Sequence, residues 1–163
     1  MVARTDKPTH SQELQVSLPS DTEIVMTRVF HAPRRLVFEA HSKAEHIQQW
    51  WGPRRHRMVS CEMDFRPGGA WRYVLEHNGK QYAFHGVYKE IRAPEGFVWT
   101  FEFESEGAGD ERYTFNERDG WTTLTARSVF PSKQARDAIL KSGMQEGAAE
   151  TWDRLAEHLA TMS

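Results

Sequence analysis

Between residues 21 and 130 hydrophobic and polar side chains mostly alternate one for one; beyond that the spacing changes to three and four. From Asp21 to His31, Ile24, Met26 and Phe30 fall on one side and Glu23 and Thr27 on the other, the period of a half-buried strand. Ala32-Pro33 ends it, and Pro33 suits the first turn of a helix along which Leu36, Val37 and Ala40 recur at helical spacing. Ser42, with Glu45 three positions on, has the form of a capping box for a second short helix, which reaches Trp50 and is stopped by Gly52-Pro53. Alternation resumes over residues 57–66, 70–77, 81–91, 97–104, 111–116 and 121–130. The breaks carry turn chemistry: Pro67-Gly68-Gly69, Asn78-Gly79, Ala93-Pro94-Glu95-Gly96, Gly107-Ala108-Gly109 and Asp119-Gly120. Asn78-Gly79 favours a type I′ hairpin. Short turns between successive strands predict an antiparallel meander.

After Pro131 the pattern becomes helical. Ser132 caps a helix running to about Lys141, and Gly143 marks a break. Met144, Ala148, Trp152, Leu155, Leu159 and Met162 then recur every three or four residues, with Glu146, Glu150, Asp153 and Glu157 mainly opposite. This predicts an amphipathic helix of about five turns. A sheet with one apolar face must bury it, and this helix is the only element long enough to cover it. The predicted fold is therefore α+β: one curved antiparallel sheet around a long C-terminal helix, with two short helices after the first strand. Residues 1–20, polar and containing Pro8 and Pro19, read as a flexible extension with room for a short strand around Leu14 to Leu18; residues 21–163 read as a single domain.

Composition narrows the function classes. A chain of 163 residues suits one domain with a sizeable core. Net charge is −2 with no long basic run, which argues against nucleic acid as a partner; Arg54-Arg55-His56-Arg57 reads as a solvated loop. A lone cysteine, Cys61, cannot form an internal disulfide, so the expected compartment is the cytoplasm. The N-terminus lacks the apolar core of a signal peptide, and no 18 apolar residues run together, so no membrane span is expected. The eight histidines make no metal-ligand spacing, and no cofactor is indicated.

Aromatic residues are abundant (six Trp, nine Phe and four Tyr), most of them between Trp50 and Trp121. They repeat at period two as Trp71 and Tyr73; Tyr82 and Phe84; Trp99, Phe101 and Phe103; Tyr113 and Phe115, so each set shares one face of its strand. Concave faces of this kind meet Met144, Ala148, Trp152 and Leu155 of the last helix, where small Gly147-Ala148-Ala149 leaves volume. Trp50 and Trp51 are neighbours that point apart, so only one is expected to reach a pocket mouth. His85, flanked by aromatics on a central strand, needs a partner or a ligand. The cavity candidates are thus Trp50, Trp51, Trp71, Tyr73, Tyr82, Phe84, His85, Trp99, Phe101, Tyr113, Met144, Ala148 and Trp152. Glu62 and Asp64 share a strand face, opposite the apolar set Cys61, Met63 and Phe65. Arg72 and Arg127 are either anchors for a ligand carboxylate or partners in outward salt bridges. Ser60, Ser105, Ser128 and Ser142 lack the setting of a nucleophile, so no catalytic residue is assigned.

Five segments in order resemble one known family. They are Arg28-Val29-Phe30-His31-Ala32-Pro33 leading into Val37-Phe38; Trp50-Trp51-Gly52-Pro53; Asp64-Phe65-Arg66-Pro67-Gly68-Gly69-Ala70-Trp71-Arg72; His85 through Ile91; and Gly147 through Leu155. The resemblance is to the SRPBCC (START-like, helix-grip) superfamily, in the AHSA-like branch named after the activator of the ninety-kilodalton heat-shock protein ATPase. It implies a seven-stranded antiparallel sheet gripping the C-terminal helix, with a cavity between them.

Three functional expectations follow. One is binding of a small hydrophobic or aromatic molecule. A second is a cyclase- or hydrolase-type enzyme using Glu62, Asp64 and His85 as acid and base. A third, carried by the branch name, is a cochaperone-like activator of a heat-shock-protein ATPase. A homodimer through an exposed sheet edge is a further expected partner arrangement.

Overall fold

In the computed structural model, which describes residues 13–103 and 109–163, the alternating segments form one antiparallel sheet. Its strands are β1 (Gln15–Ser17), β2 (Glu23–Phe30), β3 (Arg57–Met63), β4 (Ala70–His77), β5 (Lys80–Arg92), β6 (Gly96–Phe103), β7 (Gly109–Arg118) and β8 (Trp121–Val129). The helices are α1 (Arg34–Ser42), α2 (Ala44–Trp50), α3 (Lys133–Lys141) and α4 (Met144–Leu159). Strand order is β1-β2-β8-β7-β6-β5-β4-β3, so α1 and α2 carry the chain from one side of the sheet to the other before the meander begins.

The sheet has eight strands where seven were expected, because Gln15–Ser17 pairs antiparallel with β2 and extends the edge. Ordered chain therefore begins before Asp21. The expected turn at Gly107-Ala108, the end of the strand at Glu104, and most of the N-terminal extension lie outside the described residues.

Local chemistry explains most boundaries. Asn78 (φ 54°) and Gly79 (φ 78°) both take the left-handed conformation, as a type I′ hairpin requires. Asp119 (φ 56°) and Gly120 (φ 82°) repeat the device between β7 and β8. The Ser132 hydroxyl accepts the Ala135 N–H at 3.0 Å and starts α3, while Gly143 at φ 86° separates α3 from α4. The proposed capping box does not form. Lys43 occupies the cap of α2 without a side-chain capping bond, and Ser42 instead ends α1, its hydroxyl donating to the Glu39 carbonyl at 3.2 Å. Because only Lys43 separates the two helices, Ser42 is spent on the first before the second begins.

Curvature comes from local irregularities. Extra residues disturb the register of β3 between Met58 and Ser60 and of β5 between Tyr88 and Glu90, which bends and twists the strands. At Gly86 the backbone of β6 comes so close that a Cβ would lie 1.9 Å from the Thr100 carbonyl oxygen. There the Thr100 hydroxyl accepts the Val87 N–H at 2.9 Å, and the Trp71 indole donates to the Thr100 carbonyl at 3.1 Å.

The core lies between this concave face and the helices. Ile24, Phe30, Phe115, Leu124 and Ala126 from the sheet meet Leu36, Val37 and Ala40 of α1 and Trp152, Leu155 and Leu159 of α4. The edge-on contact of Phe30 with Trp152 (6.1 Å between ring centres) joins sheet to helix. Arg28, nearly buried over the Phe30 ring, pairs with Asp153 at 2.7 Å. On the other side Arg154 donates to the carbonyls of Gly52 (2.8 Å) and Gln49 (3.1 Å), tying α4 to the Trp-Gly-Pro segment.

Candidate ligand-binding cavity

The N-terminal half of α4 does not close fully against the sheet, and a cavity of about 370 Å³ remains. It runs between the far ends of β4 to β8, the Trp51–Pro53 segment, the end of α3 and the start of α4. On the helix side Gly147 and Ala148 are small and leave space between Met144, Thr151 and Trp152.

Of the residues singled out from sequence, Trp51, Tyr82, Phe84, Phe101, Tyr113, Met144, Ala148 and Trp152 line this cavity together. Trp51 packs edge-on against Phe84 (5.1 Å) and Tyr73 (4.9 Å), and Phe84 stacks on Phe103 at 4.8 Å. The other five do not line it. Trp50 is fully buried on the opposite side of its backbone, its indole donating to the Ala40 carbonyl at 3.1 Å. Trp71, Tyr73 and Trp99 share the correct face but pack behind the wall, with Trp71 stacked on Trp99 at 4.0 Å. His85 pairs across to Arg72, on the opposite face of β5 from Phe84 and so outside the cavity.

The acid–base candidates are displaced as well. Glu62 and Asp64 are exposed on the outer side of the sheet, Asp64 bonded to Arg66 at 3.0 Å. Cys61, Met63 and Phe65 pack against the core. Burial pushes the Cys61 thiol up to about 11, with a smaller contribution from the Glu62 charge, so it is no thiolate nucleophile near neutral pH. Arg127 turns outward to Glu23 at 2.7 Å.

Glu111, Ser128 and His56 are cavity residues that were not singled out. Register sets Trp99, Glu111 and Ser128 side by side on β6, β7 and β8. The Trp99 indole donates to Glu111 Oε1 and the Ser128 hydroxyl to Oε2, both at 2.7 Å. Glu111 is half-buried and lines the cavity. Burial pushes its carboxyl above the ordinary carboxylate range, and the bonds from Trp99, Ser128 and the Tyr113 phenol pull it part of the way back. The signal was available in the sequence: Glu111 has the parity of Tyr113 and Phe115, so a carboxylate sits on the aromatic face. At another wall His56 stacks on His77 (5.0 Å) and approaches Tyr82 (5.5 Å); burial first, then the neighbouring His77 and Arg55, hold its imidazole below the usual value.

Among the described residues no three metal-ligating side chains converge, and no helix is long and apolar enough to cross a membrane. The arrangement is an aromatic-walled space with one hydrogen-bonded carboxyl in it, suited to holding an organic molecule.

Comparison with known proteins agrees with this fold. A protein from Rhodobacter sphaeroides, 22% identical, superposes with a TM-score of 0.87 over 92% of this chain and 99% of that one. A Mycobacterium smegmatis protein, 26% identical, gives 0.82 over 91% and 98%. The AHSA1 protein from Silicibacter pomeroyi, 19% identical, gives 0.73 over 86% and 99%. No match is found among curated protein sequences. Residues 31–160 match the family profile described as Activator of Hsp90 ATPase homolog 1-like protein, and with the helix-grip architecture described above the chain belongs to that family.

Proposed function

We propose that the protein binds a small, largely apolar molecule in the cavity between the sheet and α4. The observation that carries this reading is the cavity itself: about 370 Å³ walled by Trp51, Phe84, Phe101, Phe103 and Trp152. Close packing is the norm for protein interiors, so an apolar space of this size is a feature to be accounted for. The volume falls in the range of small-molecule sites, roughly 300–1,000 Å³, and mostly aromatic walls with one or two polar groups are their usual lining.

The enzyme reading loses its proposed machinery, since Glu62, Asp64 and His85 all lie away from the cavity. The cochaperone reading rests on the family name alone; stimulation of the chaperone's ATPase by this protein is its test.

Native mass spectrometry after mild purification, combined with titration of a neutral fluorescent probe such as phenylnaphthylamine, tests the binding reading. Saturable fluorescence enhancement or a co-purifying small molecule is expected. Ligand-free protein together with no probe binding would contradict it.

A further inference from the structure

The cavity is apolar on its walls but carries an acid. Glu111 is placed there by the row Trp99–Glu111–Ser128, and each carboxylate oxygen already accepts one bond from a flanking strand. The two carboxylate oxygens have about four acceptor positions between them, and the bonds from Trp99, Ser128 and the Tyr113 phenol leave one for a ligand. Among the described residues that line the cavity there is no lysine or arginine. The one basic group among them, His56, lies beside Tyr82 and is disfavoured in its charged form. The acid therefore faces the cavity without a positive partner. Around it, Trp51, Phe84, Phe101, Phe103 and Phe130 supply aromatic surface, and aromatic ring faces attract cations.

We propose that the cavity selects an apolar molecule bearing one protonated amine, with the ammonium against Glu111 and the hydrocarbon body among the aromatic walls. The proposal rests on the binding reading above and narrows its ligand class. A ligand carboxylate, such as that of a fatty acid, would meet a second carboxyl in Glu111, and the one basic side chain on the cavity wall, His56, is disfavoured in its charged form. A neutral alcohol could fill the same walls and offer a donor, but would not offset the burial that disfavours the ionised carboxyl, whereas a cation beside it would. An ammonium supplies both charge and donors, and such charge-assisted bonds are roughly twice as strong as neutral ones.

Calorimetric titration of the intact protein near neutral pH, with three probes sharing one apolar body, tests the selection. The probes are naphthylethylamine, naphthylethanol and naphthylacetate. The amine is expected to bind at least about tenfold more tightly than the alcohol, and the acetate more weakly than either. Glu111→Gln keeps the side-chain shape and should abolish the amine's advantage over the alcohol, with urea denaturation showing that the variant is folded. Tightest binding of the acetate, or an amine preference that survives Glu111→Gln, would overturn the proposal. Binding of the alcohol with no preference for the amine would overturn the selectivity alone. Failure of all three to bind would overturn the binding reading and this one with it.

Discussion

Acidification should destabilise this protein through one buried side chain, His41. The imidazole is 5% exposed at the end of α1. Its Nδ1–H donates to the Val37 carbonyl at 2.8 Å, while Nε2 is buried with no partner. Trp50, Phe97, Tyr113 and Phe115 surround the ring at 4.9–6.1 Å between centres, and none of them offers an anion. Protonation would add a charged N–H to Nε2 in that apolar setting. Burial accordingly lowers the imidazole from 6.5 to about 4, against a small opposing effect of the Val37 bond. In the unfolded chain the group protonates near 6.5; in the folded chain it stays neutral to about 4. The unfolded state therefore takes up a proton first, so stability is complete above 6.5 and is lost as pH falls toward 4. At roughly 1.4 kcal/mol per pH unit the loss attributable to His41 is about 2 kcal/mol near pH 5 and about 3 kcal/mol near pH 4. Urea denaturation at about pH 7.5 and about pH 5, for the native protein and for His41→Leu, isolates this contribution from that of the carboxylates. The native protein should lose about 2 kcal/mol more than the variant. A His41 resonance titrating near 6.5 by NMR, or equal losses in the two proteins, would refute the reasoning.

Two further outcomes concern glycines and are checked by the same urea measurements. A Cβ at Gly147, within α4, meets only Pro53 Cγ at 3.9 Å, an ordinary contact. Gly147→Ala should therefore stabilise the protein by roughly 0.5–1 kcal/mol through helix propensity; a loss would show that the helix is strained there. At Gly86 a Cβ would lie 1.9 Å from the Thr100 carbonyl oxygen, a backbone atom held in the sheet. Gly86→Ala should cost more than about 3 kcal/mol or prevent folding, and near-neutral stability would contradict the close approach of β5 and β6.

Much of the fold was legible because each element carries its own local signal. Strand β4 is marked by the alternation of Trp71, Tyr73 and Leu75 and by Asn78-Gly79 after it, and its limits coincide with the sequence reading. Ser132 and Gly143 likewise mark α3 and the start of α4. Strand β1 gives a weak signal because an edge strand of three residues has almost no period to read. The site was legible in part. Parity assigned the aromatic side chains to a face, yet not to a position along it. Trp71, Tyr73 and Trp99 share the cavity's face but pack against one another in the core, farther along strands whose register is disturbed near Val59 and Lys89. Glu111 hides in the run Asp110-Glu111-Arg112, which looks like a solvated stretch until the cross-strand register places Trp99 and Ser128 beside it.

The central claim, that the cavity under α4 is a binding site, is tested most directly by filling it. Ala148 lies on the cavity wall within α4, and Ala148→Trp would project an indole into the space facing Phe84 and Phe101. Titration of phenylnaphthylamine into the native protein and the variant is the measurement, with urea denaturation confirming that both are folded. The account predicts saturable fluorescence enhancement with the native protein and loss of at least about tenfold in affinity with the folded variant. Equal binding by both would place the probe elsewhere and contradict the assignment of this cavity as the site.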